Sequence, residues 1–304
     1  MNLKNEIVSV IIITYNSSRY ILETLESVKN QNYDNIELIV TDDCSKDNTV
    51  DLCTNWINKN KDRFTNALII TTPHNTGTSA NSNRGIKASK GKWLKTISGD
   101  DILLNNCITD NMNYAKLLPD NSFIISDLSE IDEYGNVIRK RHVNDGLIYF
   151  SKLSSAKKQL KAYSRWPVFL NIPTIFGKKE NIEKINFCDE DFRIFEDMTI
   201  VHRLMEMDIK FHFMNKPTVA YRIHDQAVSR NIKMDILREK ELFIFFKKYQ
   251  MKHLHLWNPL DLSVCYEYWL RFKYKGTRKL KGSSVLRKLS LFYWYMKFNG
   301  VKSY

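Results

Sequence analysis

No stretch of this 304-residue chain approaches the roughly 18 consecutive apolar residues that a membrane-spanning helix needs. The first apolar run begins only at Ile7 and soon gives way to polar residues, so neither a signal peptide nor a spanning anchor is expected. Cysteines are few: Cys44, Cys53, Cys107, Cys188 and Cys265 are odd in number, scattered, and nowhere spaced as a CxxC pair. That pattern excludes an encoded disulfide framework or zinc site and fits a reducing cytoplasm. Internal repeats and low-complexity linkers are lacking as well. Beyond Glu267 the chain carries no acidic side chain at all.

What is present is a 43% hydrophobic chain, enough for one large domain or a domain with an appendage. Its net charge of +12 is unevenly placed. Residues 231–304 hold 16 Lys+Arg against 5 Asp+Glu, which leaves 30 against 29 for residues 1–230. This step predicts a boundary near residue 230, with a basic segment suited to an anionic partner.

The first half alternates β-rich runs with helical patterns. Residues 7–13 (IVSVIII), 36–41 (IELIVT), 67–72 (ALIITT) and 93–97 (WLKTI) read as strands buried on both faces. Between them, Ile21, Leu25 and Val28 follow Ser17 and Ser18 as candidate N-caps, and Val50, Cys53 and Ile57 follow Asp47. Strand alternating with helix predicts an α/β fold with a mainly parallel sheet flanked by helices. Residues 123–132 and 133–138 read as two strands joined by a turn at Gly135, residues 151–165 and 195–207 as helices, and 209–214 and 218–224 as two short strands.

In open parallel sheets the ligand crevice lies beyond the carboxyl ends of the strands. Those ends read Thr14-Tyr15-Asn16, Asp42-Asp43, Pro73-His74-Asn75 and Ser98-Gly99-Asp100-Asp101. Two carboxylates about 4 Å apart repel by on the order of 4 kcal/mol at an effective dielectric near 20. A divalent cation with oxygen ligands, Mg²⁺ or Mn²⁺, offsets that, and so does a helix N-terminus. A third acidic pair, Glu196-Asp197, opens the helical segment at 195–207, and the repetition of acids at element ends favours a cation-held diphosphate.

The segments VSVIIITYN, IELIVTDDCSKDNTV, HNTGTSANSNRGIKASKGKWLKTISGDD and FEDMTIVHRL, followed by YRIHDQAVS, resemble the ordered motifs of family 2 glycosyltransferases with the GT-A fold. The resemblance runs over residues 7–230. It implies donor-nucleotide contacts from Thr14, Tyr15 and Asn16, from Asp42 or Asp43 to base or ribose, and from Asn83, Arg84 and Asp100. It implies a metal held by Asp100, Asp101 and His224, with Ser98 standing where an acid is often found. Asp197 is the implied general base on the acceptor hydroxyl and Glu196 its reserve, since inverting displacement needs a carboxylate opposite the leaving nucleotide. Asn75 and Gly77 match a turn of the family.

The resemblance implies transfer from a nucleotide-diphosphate sugar, a UDP-sugar above all, to a hydroxyl of a glycan or lipid-linked saccharide in O-antigen or capsule synthesis. A sugar-nucleotide-binding scaffold without turnover and a nucleotidyltransferase stand as alternatives. Residues 231–304 carry 16 of the 37 aromatic residues, mixed with cations at helical spacing. Such segments form a helical appendage, lie on an anionic membrane surface, or both. No nucleic-acid-binding module is recognisable. A cytoplasmic protein, peripheral on the inner face of the cytoplasmic membrane, is the expectation.

Overall fold

In the computed structural model, which describes residues 6–141, 145–166, 172–225, 227, 234–273 and 287–301, the β-branched run Val8–Thr14 forms strand β1. Chain order continues with α1 (Ile21–Lys29), β2 (Ile36–Asp42), α2 (Thr49–Asn60), β3 (Asn66–Thr71), α3 (Thr78–Ala88), β4 (Trp93–Ser98), β5 (Ile102–Leu103) and α4 (Cys107–Ala115). Then come β6 (Ser122–Ile131), β7 (Val137–Arg139), α5 (Asp145–Ser151), α6 (Ala156–Arg165), β8 (Ile175–Lys178), α7 (Lys179–Lys184), α8 (Glu196–Glu206) and β9 (Lys210–Arg222). Helices α9 (Asp235–Phe245), α10 (Pro259–Lys273) and α11 (Leu291–Phe298) close the described chain.

The strands form one mixed sheet in the order β3-β2-β1-β4-β8-β6-β9-β5, with β7 on the edge of β6. Strands β3, β2, β1 and β4 are mutually parallel, so their carboxyl ends share one edge. Val8, Val10 and Ile12 join Ile21, Leu25 and Val28 of α1 in the main apolar cluster. On the other face α3 lies close to the sheet, because Gly85 has no side chain: a Cβ there would stand 2.4 Å from Ile11 Cγ2. Gly85→Ala should therefore cost about 1–3 kcal/mol, the usual penalty of overpacking, read as a lower urea midpoint at unchanged m-value.

Several local expectations change: the helix expected over 151–165 is broken at 152–155 and resumes as α6 at Ala156. Helix α1 starts at Ile21 without a side-chain cap, and Ser17 instead accepts the Tyr20 and Ile21 amides through its carbonyl. Residues 210–222 form one strand, not two: the register shift opposite Asp127, which pairs with Pro217, absorbs the proline within the ladder.

The chain divides into two compact units, residues 1–142 with 170–225, and residues 143–169 with 226–304. The charge step near residue 230 marks only one end of the second unit. Segment 143–169, placed with the first domain on sequence grounds, joins the C-terminal segment through a buried acid. Asp261 of α10 accepts from Lys161 at 2.5 Å and Arg165 at 2.7 Å on α6 and from the His255 amide at 2.9 Å. Desolvation opposes ionisation of this acid, yet these bonds outweigh it and hold its pKa below the ordinary value. Phe245, Phe246, Tyr249, Tyr268 and Phe292 are buried within this unit, so these aromatics are core. The Lys/Arg-rich stretch 274–286 lies outside the described residues.

Candidate active site

At the carboxyl edge, β1 and β2 end in register with Thr14 beside Asp42. Both are buried and bonded to each other: Thr14 Oγ1 donates to Asp42 Oδ2 at 2.9 Å, and the Ser45 amide donates to Asp42 Oδ1 at 2.8 Å. Asp43 is buried too. It accepts from the Thr76 hydroxyl at 2.6 Å, the Gly77 amide at 2.8 Å and Arg84 Nη2 at 2.8 Å. These donors hold its pKa below the ordinary value although burial pushes the other way. Thr14, Asp42 and Asp43 thus brace the carboxyl edge of the sheet. Arg84, expected to face the donor, is spent on Asp43, Thr76 and Asn81. Asn83 is buried and bonds the Cys188 backbone and Glu190, so its amide is committed to packing rather than to a nucleotide.

Tyr15 and Asn16 differ. Tyr15 is 48% exposed at the strand end, and Asn16 adopts a left-handed φ of 51°. Its carboxamide accepts the Lys46 amide at 2.8 Å, which ties the β1 loop to the β2 loop and leaves the Tyr15 ring free at the edge.

The turn that Asp43 organises also carries the second acidic group. Gly77 takes φ 94°, and a Cβ there would meet the Arg193 carbonyl oxygen at 2.9 Å, so the turn requires glycine. Arg193 Nη2 donates to Asn75 Oδ1 at 2.8 Å, and the Thr78 hydroxyl donates to Glu196 Oε2 at 2.6 Å. Glu196 therefore braces the start of α8 against the start of α3. Asp197 beside it is only partly covered, and its Oδ1 accepts the Met198 amide at 2.7 Å. Crowding by protein outweighs that bond and raises its pKa to about 7. A carboxyl poised there can accept a proton near neutral pH.

The third group lies at the end of β4. Asp100 Oδ2 stands 2.9 Å from His224 Nε2. Asp101 is buried instead, with Oδ1 accepting the Arg222 amide at 2.8 Å and Oδ2 without a partner among the described residues. Burial and the neighbouring Asp100 push its pKa well above the carboxylate range. No cation-sized cluster combines Asp100, Asp101 and His224, whose ligand atoms do not all come within 4.8 Å of one another. Of the three residues expected to hold a metal, the structure brings Asp100 and His224 together and turns Asp101 Oδ1 to the Arg222 amide. One carboxylate and one imidazole suit Mn²⁺ better than Mg²⁺, which prefers oxygen alone.

Arg222, which the sequence marks with Tyr221 only as helping to position the loop that follows, joins these parts. Arg222, fully buried, donates through Nε to the Asp100 carbonyl at 2.8 Å and through Nη2 to Glu23 at 2.7 Å, while Nη1 meets the Asp132 and Glu133 carbonyls. Its guanidinium lies 4.7 Å from the centre of the Tyr20 ring, which in turn packs at 4.9 Å on His224. The available signal was period two: Arg222 stands two positions before His224, on the same side of an extended segment.

Residues 9–185 match the model of glycosyl transferase family 2, more than half of the chain. The chain belongs to that family. The family 2 chain is 27% identical over 240 residues to WfaP of Escherichia coli, a UDP-Glc:alpha-D-GlcNAc-diphosphoundecaprenol beta-1,3-glucosyltransferase, covering 78% of this chain and 85% of WfaP. Its fold superposes on S. aureus TarS 1-349 in complex with UDP-GlcNAc with a TM-score of 0.58 at 15% identity, over 88% of this chain and 73% of the other. It superposes on the mannosyltransferase PcManGT from Pyrobaculum calidifontis in complex with GDP-Man and Mn²⁺ with a TM-score of 0.59 at 16% identity, over 98% and 86%. The first unit of this glycosyltransferase is thus a GT-A α/β fold, and its substrate class is a nucleotide sugar.

Proposed function

We propose that this glycosyltransferase moves a sugar from a UDP-sugar to a hydroxyl of a glycan or lipid-linked saccharide in surface-polysaccharide synthesis of the O-antigen or capsule type, with inversion. The observation that carries the reading is the Asp197 carboxyl, its pKa raised to about 7 at a partly open position that the Thr78–Glu196 bond ties to the Asp43 turn. Its Oδ2 takes the acceptor proton as the hydroxyl attacks the anomeric carbon and the bond to the diphosphate breaks. Glu196, held by Thr78, keeps the first turn of α8 in place during that step. The exposed Tyr15 ring stacks on the uracil, and Asn16 shapes the loop around it. The UDP donor is supported by WfaP and by the UDP-GlcNAc complex of TarS.

Asp100 and His224 would hold the divalent cation, which when bound neutralises charge on the diphosphate. Titration calorimetry checks this: His224→Ala should abolish the Mn²⁺-dependent part of UDP binding, and identical isotherms with and without Mn²⁺ in the wild type would remove the metal from the proposal. Turnover is tested by incubating a panel of UDP-sugars with Mn²⁺ and measuring free UDP. Release of UDP supports glycosyl transfer. Pyrophosphate release would instead indicate nucleotidyl transfer, and binding without turnover a scaffold.

The second unit is the element that addresses the membrane in this reading. Trp257 and Phe298 are 82% and 86% exposed, and Lys273 and Lys297 lie 4.5 Å and 5.1 Å from the rings of the exposed Trp269 and Trp294. Rings flanked by ammonium groups suit the headgroup layer of an anionic bilayer. Among the described residues no helix is long and apolar enough to cross a membrane. Trp269→Ala with Trp294→Ala should weaken binding to phosphatidylglycerol vesicles in a flotation assay and leave neutral vesicles unaffected; equal flotation would assign those rings to another surface.

A further inference from the structure

At the opposite end of β4 from Asp100, Lys92, Trp93, Lys116, Asp120, Ser122 and Lys178 line a cavity of about 360 Å³ in the first unit. This volume falls at the lower end of the range of small-ligand pockets, roughly 300–1,000 Å³. The inventory of groups is lopsided toward donors. Trp93 is 5% exposed, Ser122 7% and the Lys178 side chain 11%, so three donor-bearing residues are largely buried along this wall. Trp93 Nε1 and Ser122 Oγ have no hydrogen-bond partner among the described residues. Both atoms are shielded from solvent in this conformation, so they mark a polar wall behind the cavity and are not themselves contacts in it.

Acceptors in place do not exhaust the donors. Asp120 accepts from Lys178 at 2.9 Å with its carboxylate exposed, Glu6 accepts from Lys92 at 2.8 Å, and Lys116 donates to Asn113 Oδ1 at 3.2 Å, with no carboxylate partner among the described residues. Three ammonium groups thus face two carboxylates. The Trp93 ring, stacked on Phe176 at 5.4 Å with Lys178 5.8 Å above it, supplies a rigid apolar side. We infer that this cavity is a second ligand site that takes a small phosphate monoester, its phosphate among Lys92, Lys116 and Lys178 and its organic part against the Trp93 ring. The chemistry is that of an anion with hydroxyls, such as a sugar phosphate. The site is separate from the catalytic edge: the five steps along β4 from Trp93 to Ser98 span about 16 Å. It does not depend on the identity of the donor or acceptor.

Calorimetry of the full chain with glucose 1-phosphate and with inorganic phosphate, at constant ionic strength, tests it. Saturable binding is expected, at least about tenfold weaker in Lys178→Met, as loss of a hydrogen bond to a charged group implies, and weaker in Trp93→Leu, which removes the aromatic side. UDP binding should stay unchanged in both variants, which reports that they are folded. Lys116→Met, at an exposed position, gives the same reading if Lys178→Met does not fold. Heats no larger than those of matched chloride, or affinities unmoved by all three substitutions, would overturn the inference. Vesicles containing phosphatidic acid separate the two sources of a phosphate monoester. Lys178-dependent vesicle binding without binding of either soluble phosphate would make the ligand a lipid headgroup and overturn the small-ligand reading.

Discussion

Asp197→Asn should lower the transfer rate by at least the ~10²-fold of a lost general base while UDP binding stays within a factor of two or so. The amide keeps the acceptor for the Met198 amide, so the first turn of α8 is undisturbed and the loss reports chemistry. The pH dependence carries the same signature. A base works deprotonated, so with a pKa near 7 the wild-type kcat/KM should be level at alkaline pH and fall as pH drops through about 7. The stability profile has the opposite sense. The folded state raises this carboxyl's pKa, so it favours the protonated form and loses stability as pH rises from the unfolded value toward 7. Asp197→Asn should accordingly unfold at a higher urea concentration than wild type at pH 8 and show no such gain at pH 4. An unchanged transfer rate would move the base elsewhere, with Glu196 the next residue to test.

Arg222→Met should cost about 1.5–3 kcal/mol of stability, the range for hydrogen bonds to a charged group. The loss comes chiefly from the Asp100, Asp132 and Glu133 carbonyls, which would lose a charged donor at partly buried positions. Glu23, half in solvent, contributes less. Because the same side chain supports Tyr20, and Tyr20 packs on His224, Mn²⁺ affinity should fall even in the folded fraction. Arg222→Lys keeps the charge but not the planar fork, and should recover only part of both quantities. Denaturant unfolding and Mn²⁺ titration measure them separately, and a variant within 1 kcal/mol or so of wild type would show that the guanidinium is not a support.

Much of this was legible before any coordinates. Periodicity located β1, β2 and β4 and the parallel sheet, because a strand with both faces covered reads as an unbroken apolar run. The edge where Tyr15, Asp43 and Asp100 gather follows from those strands being parallel. The division of labour among the acids did not follow. Asp42, Asp43, Asp100 and Asp101 are four like residues at strand ends, and nothing in their order tells a carboxylate that faces the cleft from one that accepts two backbone amides. Asn83 and Arg84 were read as donor contacts for the same reason: their partners, Glu190 and Asp43, lie 107 and 41 residues away. The second unit was hidden likewise, since Lys161 and Asp261 are 100 residues apart.

By itself, then, the sequence determined the α/β alternation, the motif order of a family 2 glycosyltransferase and the position of Asp197 at the start of a helix. Those are properties of local spacing, which short-range sterics and hydrophobic burial express directly. Only the tertiary structure decided that Asp101 faces inward, that Arg222 carries the Asp100–His224 pair, and that Asp197 is crowded enough to titrate near 7. Burial and long-range hydrogen bonds set those outcomes, and both depend on which distant segments the fold brings within a few ångströms.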